Sequence, residues 1–437
     1  MKRPALLIAG AAALVLLQQQ LLWRRPPRLV ALQSSTASSG PAALNLQFSR
    51  PMDRSSLAAT SRLQPSHPHQ WLGDGASLRL LLTAQQPIQR AIDLLLQGRD
   101  LRALAMTPQR WTWDPRPRLL AVVPRDQGEQ LQLQRHDGRW LPLTPVFERI
   151  TAVTPLGDGS GIALVSSNGQ GERLWLLELQ QSSLQRGGPA GDSFIQPGSL
   201  KALLPEPLSF AHLSTNRSGD LLAQWSSRLL GRSRTSFWPR RGRQQEMDLE
   251  ASGPMKLLPE GGALVVPELE GLTLRNLPER PQRRQILPGS RDLSSFCPVS
   301  GRALLVRHWP DFRRSLELVE PGESPRQLWL GGDAVLGSAC DRGGERVWLL
   351  LSHWRNAQRN RLLEINRQGT ITRQRDLKGW DVEPGVAMAY DPTRQQLLLT
   401  LRQQGQKEAQ PVLVDAASLR LQPLAKAVRQ ALWLPPG

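Results

Sequence analysis

A tight polar turn followed by a short run of branched apolar residues recurs seven times along this chain, and no other feature limits its fold so strongly. The phrase occurs as Asp114-Pro115-Arg116-Pro117-Arg118-Leu119-Leu120 and as Gly157-Asp158-Gly159-Ser160-Gly161-Ile162-Ala163. It returns at Asn216–Leu222, Pro259–Val266, Cys297–Leu305, Asp341–Leu349 and Asp391–Leu399. The apolar runs begin at Leu119, Ile162, Leu221, Ala263, Ala303, Val347 and Leu397, about 40 to 50 residues apart except for one interval near 60. About ten to twenty residues after a start comes a second strand that ends in a hairpin turn. Examples are Leu131–Gln134 before Asp137-Gly138, Leu362–Ile365 before Gln368-Gly369, and Val412–Val414 before Asp415.

Such a period matches one four-stranded sheet of a radial array, so seven starts predict an all-β, seven-bladed β-propeller over residues 108–437. The turn-then-strand phrase resembles the Ser-Pro-Asp-Gly repeat of TolB-like and WD-repeat-like propellers, most closely at Cys297–Leu305 and Asp391–Leu399. The Trp-Asp dipeptide of true WD repeats is missing, which keeps the resemblance at the level of the broad propeller class.

Ahead of the array, Lys2 and Arg3 precede an apolar run from Ala5 to Leu17. Three glutamines, Leu21, Leu22 and Trp23 then lead to Arg24 and Arg25. Residues 1–30 read as a signal-type segment, with residues 5–23 holding the chain to a membrane as an uncleaved anchor. Residues 31–41, rich in Ser, Thr, Ala and Gly, read as a flexible linker. In residues 42–107, Leu44, Leu46 and Phe48 alternate as a half-buried strand, with further strands at Leu78–Leu82 and Ile92–Leu96. The phrase Phe48-Ser49-Arg50-Pro51-Met52-Asp53, followed by Leu63-Gln64-Pro65 and Trp71, resembles the bacterial Ig-like domain of the S-layer (SbsA) type. The resemblance implies a β-sandwich spacer or adhesion module without chemistry of its own. This copy is short and has Ala91-Ile92-Asp93 where the family usually carries a tyrosine.

Arg and Lys outnumber acids 55 to 37 among 437 residues, for a net charge of +18, yet only six of the cations are lysine and the arginines run from end to end. Of the two cysteines, Cys297 and Cys340 precede equivalent second strands of consecutive units. Equivalent positions of neighbouring blades lie too far apart to bridge, so both are expected as buried free thiols.

In a propeller the loops between second and third strands gather on one face, and three of them share a pattern here. They begin with Gln224-Trp225, His308-Trp309 and His353-Trp354, and arginines follow each. One reading makes Trp225, His308, Trp309, Arg313, His353, Trp354 and Arg355 a ligand-binding rim. Trp would supply flat apolar platforms there, and Arg forks would take carboxylate or phosphate. The blander reading packs each Trp against the next blade and leaves each Arg solvated. The densest basic stretch supplies Arg232, Arg234, Trp238, Arg240, Arg241 and Arg243, a mixture that suits an anionic polymer. Nucleic acid is an improbable partner for an exported chain, and Arg280, Arg283 and Arg284 add only to the basic surface.

No Gly-x-Ser-x-Gly elbow, His-Glu-x-x-His helix, phosphate-cradling Gly-x-x-x-x-Gly-Lys loop or sialidase Asp box is present. His67-Pro68-His69 has no third ligand at a useful spacing, so no metal or other cofactor is expected. The sequence thus points to a membrane-anchored, extracytoplasmic, non-catalytic scaffold whose propeller recognises an envelope protein or polysaccharide. A hydrolase or lyase acting on an anionic glycan is the competing expectation.

Overall fold

The computed structural model describes residues 20, 25–35, 40–83, 86–187, 195–229, 231–277, 285–298, 301–354, 358–383, 385 and 388–437. Its residues fall into two compact units. One comprises residues up to 85 with 90–114 and 184–191, the other 86–89, 115–183 and 192–437.

In the larger unit every expected apolar run lies on the strand second from the inside of an antiparallel blade, the blades being numbered 1 to 7 in the order of these strands. These strands are Arg118–Arg125, Gly161–Asn168, Leu221–Ser227, Ala263–Glu268, Ala303–His308, Arg346–Trp354 and Gln396–Gln403. Leu119 to Val123, Ile162 to Val165 and Val347 to Leu351 are buried without interruption. A strand covered on both faces loses the polar half of its alternation, which is why these runs are continuous. In four of the seven the preceding turn is set by an Asx cap. Asp158 Oδ1 accepts from Ser160 N (3.0 Å), Asn216 Oδ1 from Asp220 N (3.0 Å), Asp341 Oδ1 from Glu345 N (2.9 Å) and Asp391 Oδ1 from Thr393 N (2.8 Å). Gly219 sits in that turn at φ +82°, where a side chain would strain the backbone.

Separate apolar cores fill the spaces between blades 1 and 2, 2 and 3, 3 and 4, 5 and 6, 6 and 7, and 7 and 1. Contact between the last blade and the first makes the array a closed wheel. The chain supplies the closure with its final strand, Gln430–Leu434, which pairs antiparallel with the first apolar run from Gln430↔Val122 to Leu434↔Arg118. C-terminal residues thereby become the innermost strand of blade 1.

A disulfide and a carboxylate clamp are among the bonds that fasten blades 5 and 6, and the disulfide corrects the sequence reading. Cys297 and Cys340 form a disulfide, with Cα atoms 5.2 Å apart. The two positions are not equivalent. Cys297 N donates to Arg302 O as Asp341 N donates to Arg346 O, so Cys297 corresponds to Asp341 and the cysteines are one residue out of step. Successive strand residues point to opposite sides. An offset of one therefore turns the two thiols toward each other across the interface, where equal positions would both face the same way around the ring. The second bond is a carboxylate clamp: Glu320 accepts from Arg302 Nε of its own blade (2.6 Å) and from Arg367 Nη2 of blade 6 (2.6 Å). Burial alone would raise its pKa, but the guanidiniums of Arg367 and Arg302 hold the carboxyl below its ordinary value. Arg291 and Glu317, both buried, pair at 2.7 Å in the same way. Part of the arginine excess is thus spent inside the wheel.

The smaller unit contains two antiparallel four-stranded sheets. Ala43–Phe48 and Ser77–Leu82 are the central strands of the first, Ile92–Leu96 and Gln109–Trp113 those of the second. Leu44, Leu46 and Phe48 are buried on one face, as are Ile92, Leu94 and Leu96. The Pro-Met-Asp phrase starts a short helix, Arg54–Thr60, whose cap is Asp53: its Oδ1 accepts from Ser55 N at 2.9 Å.

The boundaries differ from those read in the sequence. The expected linker 31–41 begins inside a strand, Leu29–Ser35, paired with Ala43–Phe48, and Ser34 Oγ accepts from Trp113 Nε1 (3.2 Å). Small polar composition suggested freedom, but an edge strand needs only backbone groups to pair. Residues 108–114, expected in the propeller, belong to the smaller unit instead, and so does Leu184–Arg186, which pairs with Trp111–Trp113. Most of the anchor, residues 1–19 and 21–24, lies outside the described residues. Among the described residues no helix is long and apolar enough to cross a membrane.

Candidate functional site

All second strands run the same way, so their far ends and the turns to the third strands share one face of the wheel. On blade 5 the second strand ends at His308, whose Nε2 lies 2.7 Å from Asp292 Oδ2 on the innermost strand. On blade 6 His353, one register position further along than His308, stands at the same strand end, with Nδ1 2.5 Å from Asp333 Oδ1. Two neighbouring blades therefore present a His–carboxylate pair at the same rim.

Beside His353 a groove of about 800 Å³ opens between blade 6 and the turn of blade 7. Its walls include Arg359, Arg361, Lys378 and Asn360 together with Asp333 and Asp376. Arg361 Nε is 2.9 Å from Asp376 Oδ1, and Asn360 Nδ2 donates to Trp380 O (2.9 Å). The groove is thus polar, and its side chains are held by one another.

The rim residues named from the sequence have different fates. Trp225 is not a loop residue. It lies inside the second strand of blade 3, 2% exposed, and its indole N–H donates to Ser236 Oγ (3.0 Å). The strand runs on through Ser227, buried throughout, past the Gln224-Trp225 pair at which the turn was expected to begin. Trp309 is half-buried under the Arg307 guanidinium, 3.9 Å from the ring centroid, and donates to Ser315 Oγ (2.9 Å). Its platform is already occupied. Arg313 Nε is paired with Asp311 Oδ2 at 2.6 Å. Trp354 is 74% exposed. Arg355 lies outside the described residues, as do Arg280, Arg283 and Arg284.

The basic stretch 232–243 is not one patch. Ser233–Trp238 forms the third strand of blade 3, about 20 Å of extended chain. That strand puts Arg232 at one face and Arg240, Arg241 and Arg243 at the other. Arg234 leans toward the Trp225 ring, 5.7 Å from its centroid, Trp238 packs on the blade 2–3 core, and Arg240 Nε pairs with Asp158 Oδ2 at 2.9 Å. A single anionic polymer therefore cannot meet all six along one loop.

Sequence reasoning passed over Asp292, Asp333, Arg361 and Lys378. The two aspartates carry a readable signal, since each stands at the start of the innermost strand that pairs with its histidine's strand. Among the described residues no group of three metal-ligating side chains occurs. His67 is buried and its Nε2 has no hydrogen-bond partner, while His67 O meets Nδ1 of His69 at 2.8 Å. Burial pushes the His67 imidazole pKa below its ordinary value. The unfolded chain therefore binds the proton more readily, and stability falls as pH drops through about 6.5, the unfolded value. His67→Gln is expected to flatten the decline in Tm between neutral and mildly acidic pH. An unchanged slope would show that the group does not titrate with folding.

Fold and face together define a β-propeller protein with an additional two-sheet N-terminal unit. No family model matches the chain, and no curated protein matches it. Solved structures similar to it are propellers. TolB from Acinetobacter baumannii is 11% identical over 84% of this chain and 82% of its own, with a TM-score of 0.41. The β-propeller domain of the trilobed protease from Pyrococcus furiosus is 10% identical over 78% of this chain and 93% of its own, at 0.45. A structure from a study of two prolyl endopeptidases is 10% identical over 73% of this chain and 50% of its own, at 0.48.

Proposed function

We propose that this protein is an extracytoplasmic binding scaffold, tethered through residues 5–23, whose propeller recognises an envelope protein or polysaccharide bearing carboxylate or phosphate groups. The observation that carries the reading is the blade 6 groove, lined by Arg359, Arg361 and Lys378 as well as by the His353–Asp333 pair. Guanidinium forks and an ammonium at one rim suit an anionic ligand. The inter-blade disulfide supports export, because such bonds form and persist in oxidising compartments. The smaller unit, with its two antiparallel sheets, serves in this reading as an Ig-like spacer of the SbsA type.

One observation favours a second reading, a hydrolase or lyase on an anionic glycan: a histidine oriented by a carboxylate inside a groove is the arrangement of a general base. The test is to prepare Arg359→Ala and His353→Ala in the full chain and to measure both retention on, and turnover of, envelope polysaccharides. Arg359→Ala is expected to weaken retention by roughly tenfold, the worth of one charge-assisted contact. Retention that is unchanged in both variants would overturn the scaffold reading. Turnover by the unaltered chain that His353→Ala abolishes would establish the enzyme instead.

A further inference from the structure

The turns between second and third strands differ around the wheel in a way the groove does not explain. In blades 1, 2 and 7 they are polar: Asp126-Gln127, Gly169-Gln170 and Gln404 to Glu408. In the four consecutive blades 3 to 6 a large apolar side chain stands in solvent in that turn or, on blade 6, at the strand end that leads into it. Leu229 is 76% exposed, Leu269 98%, Phe312 90% and Trp354 74%. No other large apolar residue described in the larger unit reaches half exposure. Phe312 also holds φ +64°, the left-handed region that a bulky residue enters only at a cost. Neither backbone preference nor packing accounts for a phenylalanine there.

We propose that this arc is a lipid-contacting edge, by which blades 3 to 6 rest on an anionic bilayer surface with the four tips immersed at the headgroup boundary. Three features favour lipid over a protein partner. The tips are single residues set one blade apart and divided by polar chain, whereas protein interfaces are built around a contiguous apolar centre. All four stand at the same strand end of successive blades, so they share a plane that a fluid surface can meet. The first, third and fourth tips, Leu, Phe and Trp among arginines, have the composition of interfacial membrane segments. Arg228 and Arg232 flank the first tip, Arg313 and Arg314 the third, and Arg359 the fourth. Leu269, the second tip, stands between Glu268, which pairs with Arg275 (2.9 Å), and Glu270, and Asp311 beside the third tip pairs with Arg313 (2.6 Å). This inference rests on the tips and not on the groove, so each can fail without the other.

The test uses the full chain, reconstituted into vesicles of phosphatidylcholine with phosphatidylglycerol and carrying a polarity-sensitive fluorophore on Leu269→Cys. The native cysteines are consumed in the disulfide. Gln406→Cys, on the blade 7 turn, and Gln368→Cys, on the opposite face, are the references. The 269 label is expected to be quenched by brominated acyl chains at least about threefold more than either reference, as immersion at the interface requires. Replacing Phe312 and Trp354 with Ser, both exposed and outside the core, is expected to lower that quenching toward the reference level. Equal quenching at all three positions would overturn the proposal. A 269 label that stays in water on lipid and is shielded only when a soluble protein is added would overturn it as well.

Discussion

A chain truncated after Arg429 is expected to lose its cooperative fold. The missing strand, Gln430–Leu434, is innermost in blade 1, and Ala431 and Leu434 are fully buried while Leu432 and Trp433 pack on the cores to either side. At about 1.5 to 3 kcal/mol for each large side chain, the loss exceeds about 5 kcal/mol before any hydrogen bond is counted. A typical domain is stable by only about 5 to 15 kcal/mol. The cut would also bare the edge of Arg118–Arg125, whose residues Leu119 to Val123 are all buried, and an open apolar edge recruits other chains. Urea unfolding and soluble yield should both register the loss. A truncated chain that unfolds cooperatively at a urea midpoint close to that of the intact protein would mean that closure of the ring carries little of its stability.

Replacing both cysteines, Cys297→Ser with Cys340→Ser, is expected to lower stability by about 4 kcal/mol, because the bond closes a loop with a sequence separation of 43. For a domain of this size that corresponds to a fall in Tm of about 6 °C. Thermal unfolding with and without reductant makes the check internal. Reductant should bring the unaltered chain down to the variant and leave the variant where it was. Coincident melting of oxidised and reduced chains would remove the bond from the stability of the wheel. It would also weaken the argument from redox compartment to export.

These two cases show where sequence reasoning reached and where it stopped. Every blade start was legible, because a strand buried on both faces must be apolar throughout and its entry turn needs a short polar cap, both of which are local. Closure was not. Nothing in Gln430-Ala431-Leu432-Trp433-Leu434 says that its partner is Arg118–Val122, some three hundred residues away. The disulfide was misjudged for a related reason: whether two thiols face each other depends on a one-residue offset between neighbouring strands, which the turn spacing left undefined.

The candidate face divides in the same way. His308 and His353 were found as repeats at blade ends, and the structure then supplied Asp292 and Asp333, which reach them across a sheet. Trp225 went the other way, into the core, since a tryptophan at the end of an apolar run reads alike inside and outside the strand. The basic run 232–243 looked continuous until extended backbone carried its two ends to opposite faces.

Period, strand type and the positions of the turns followed from residue order alone, because alternation, continuous burial and Asx caps act over a few neighbours. Which strand closes the ring, which cysteine meets which, and which charged groups share a groove were decided only by the packed wheel. Those contacts join residues distant in the chain, and their free energy exists only once the blades are in place.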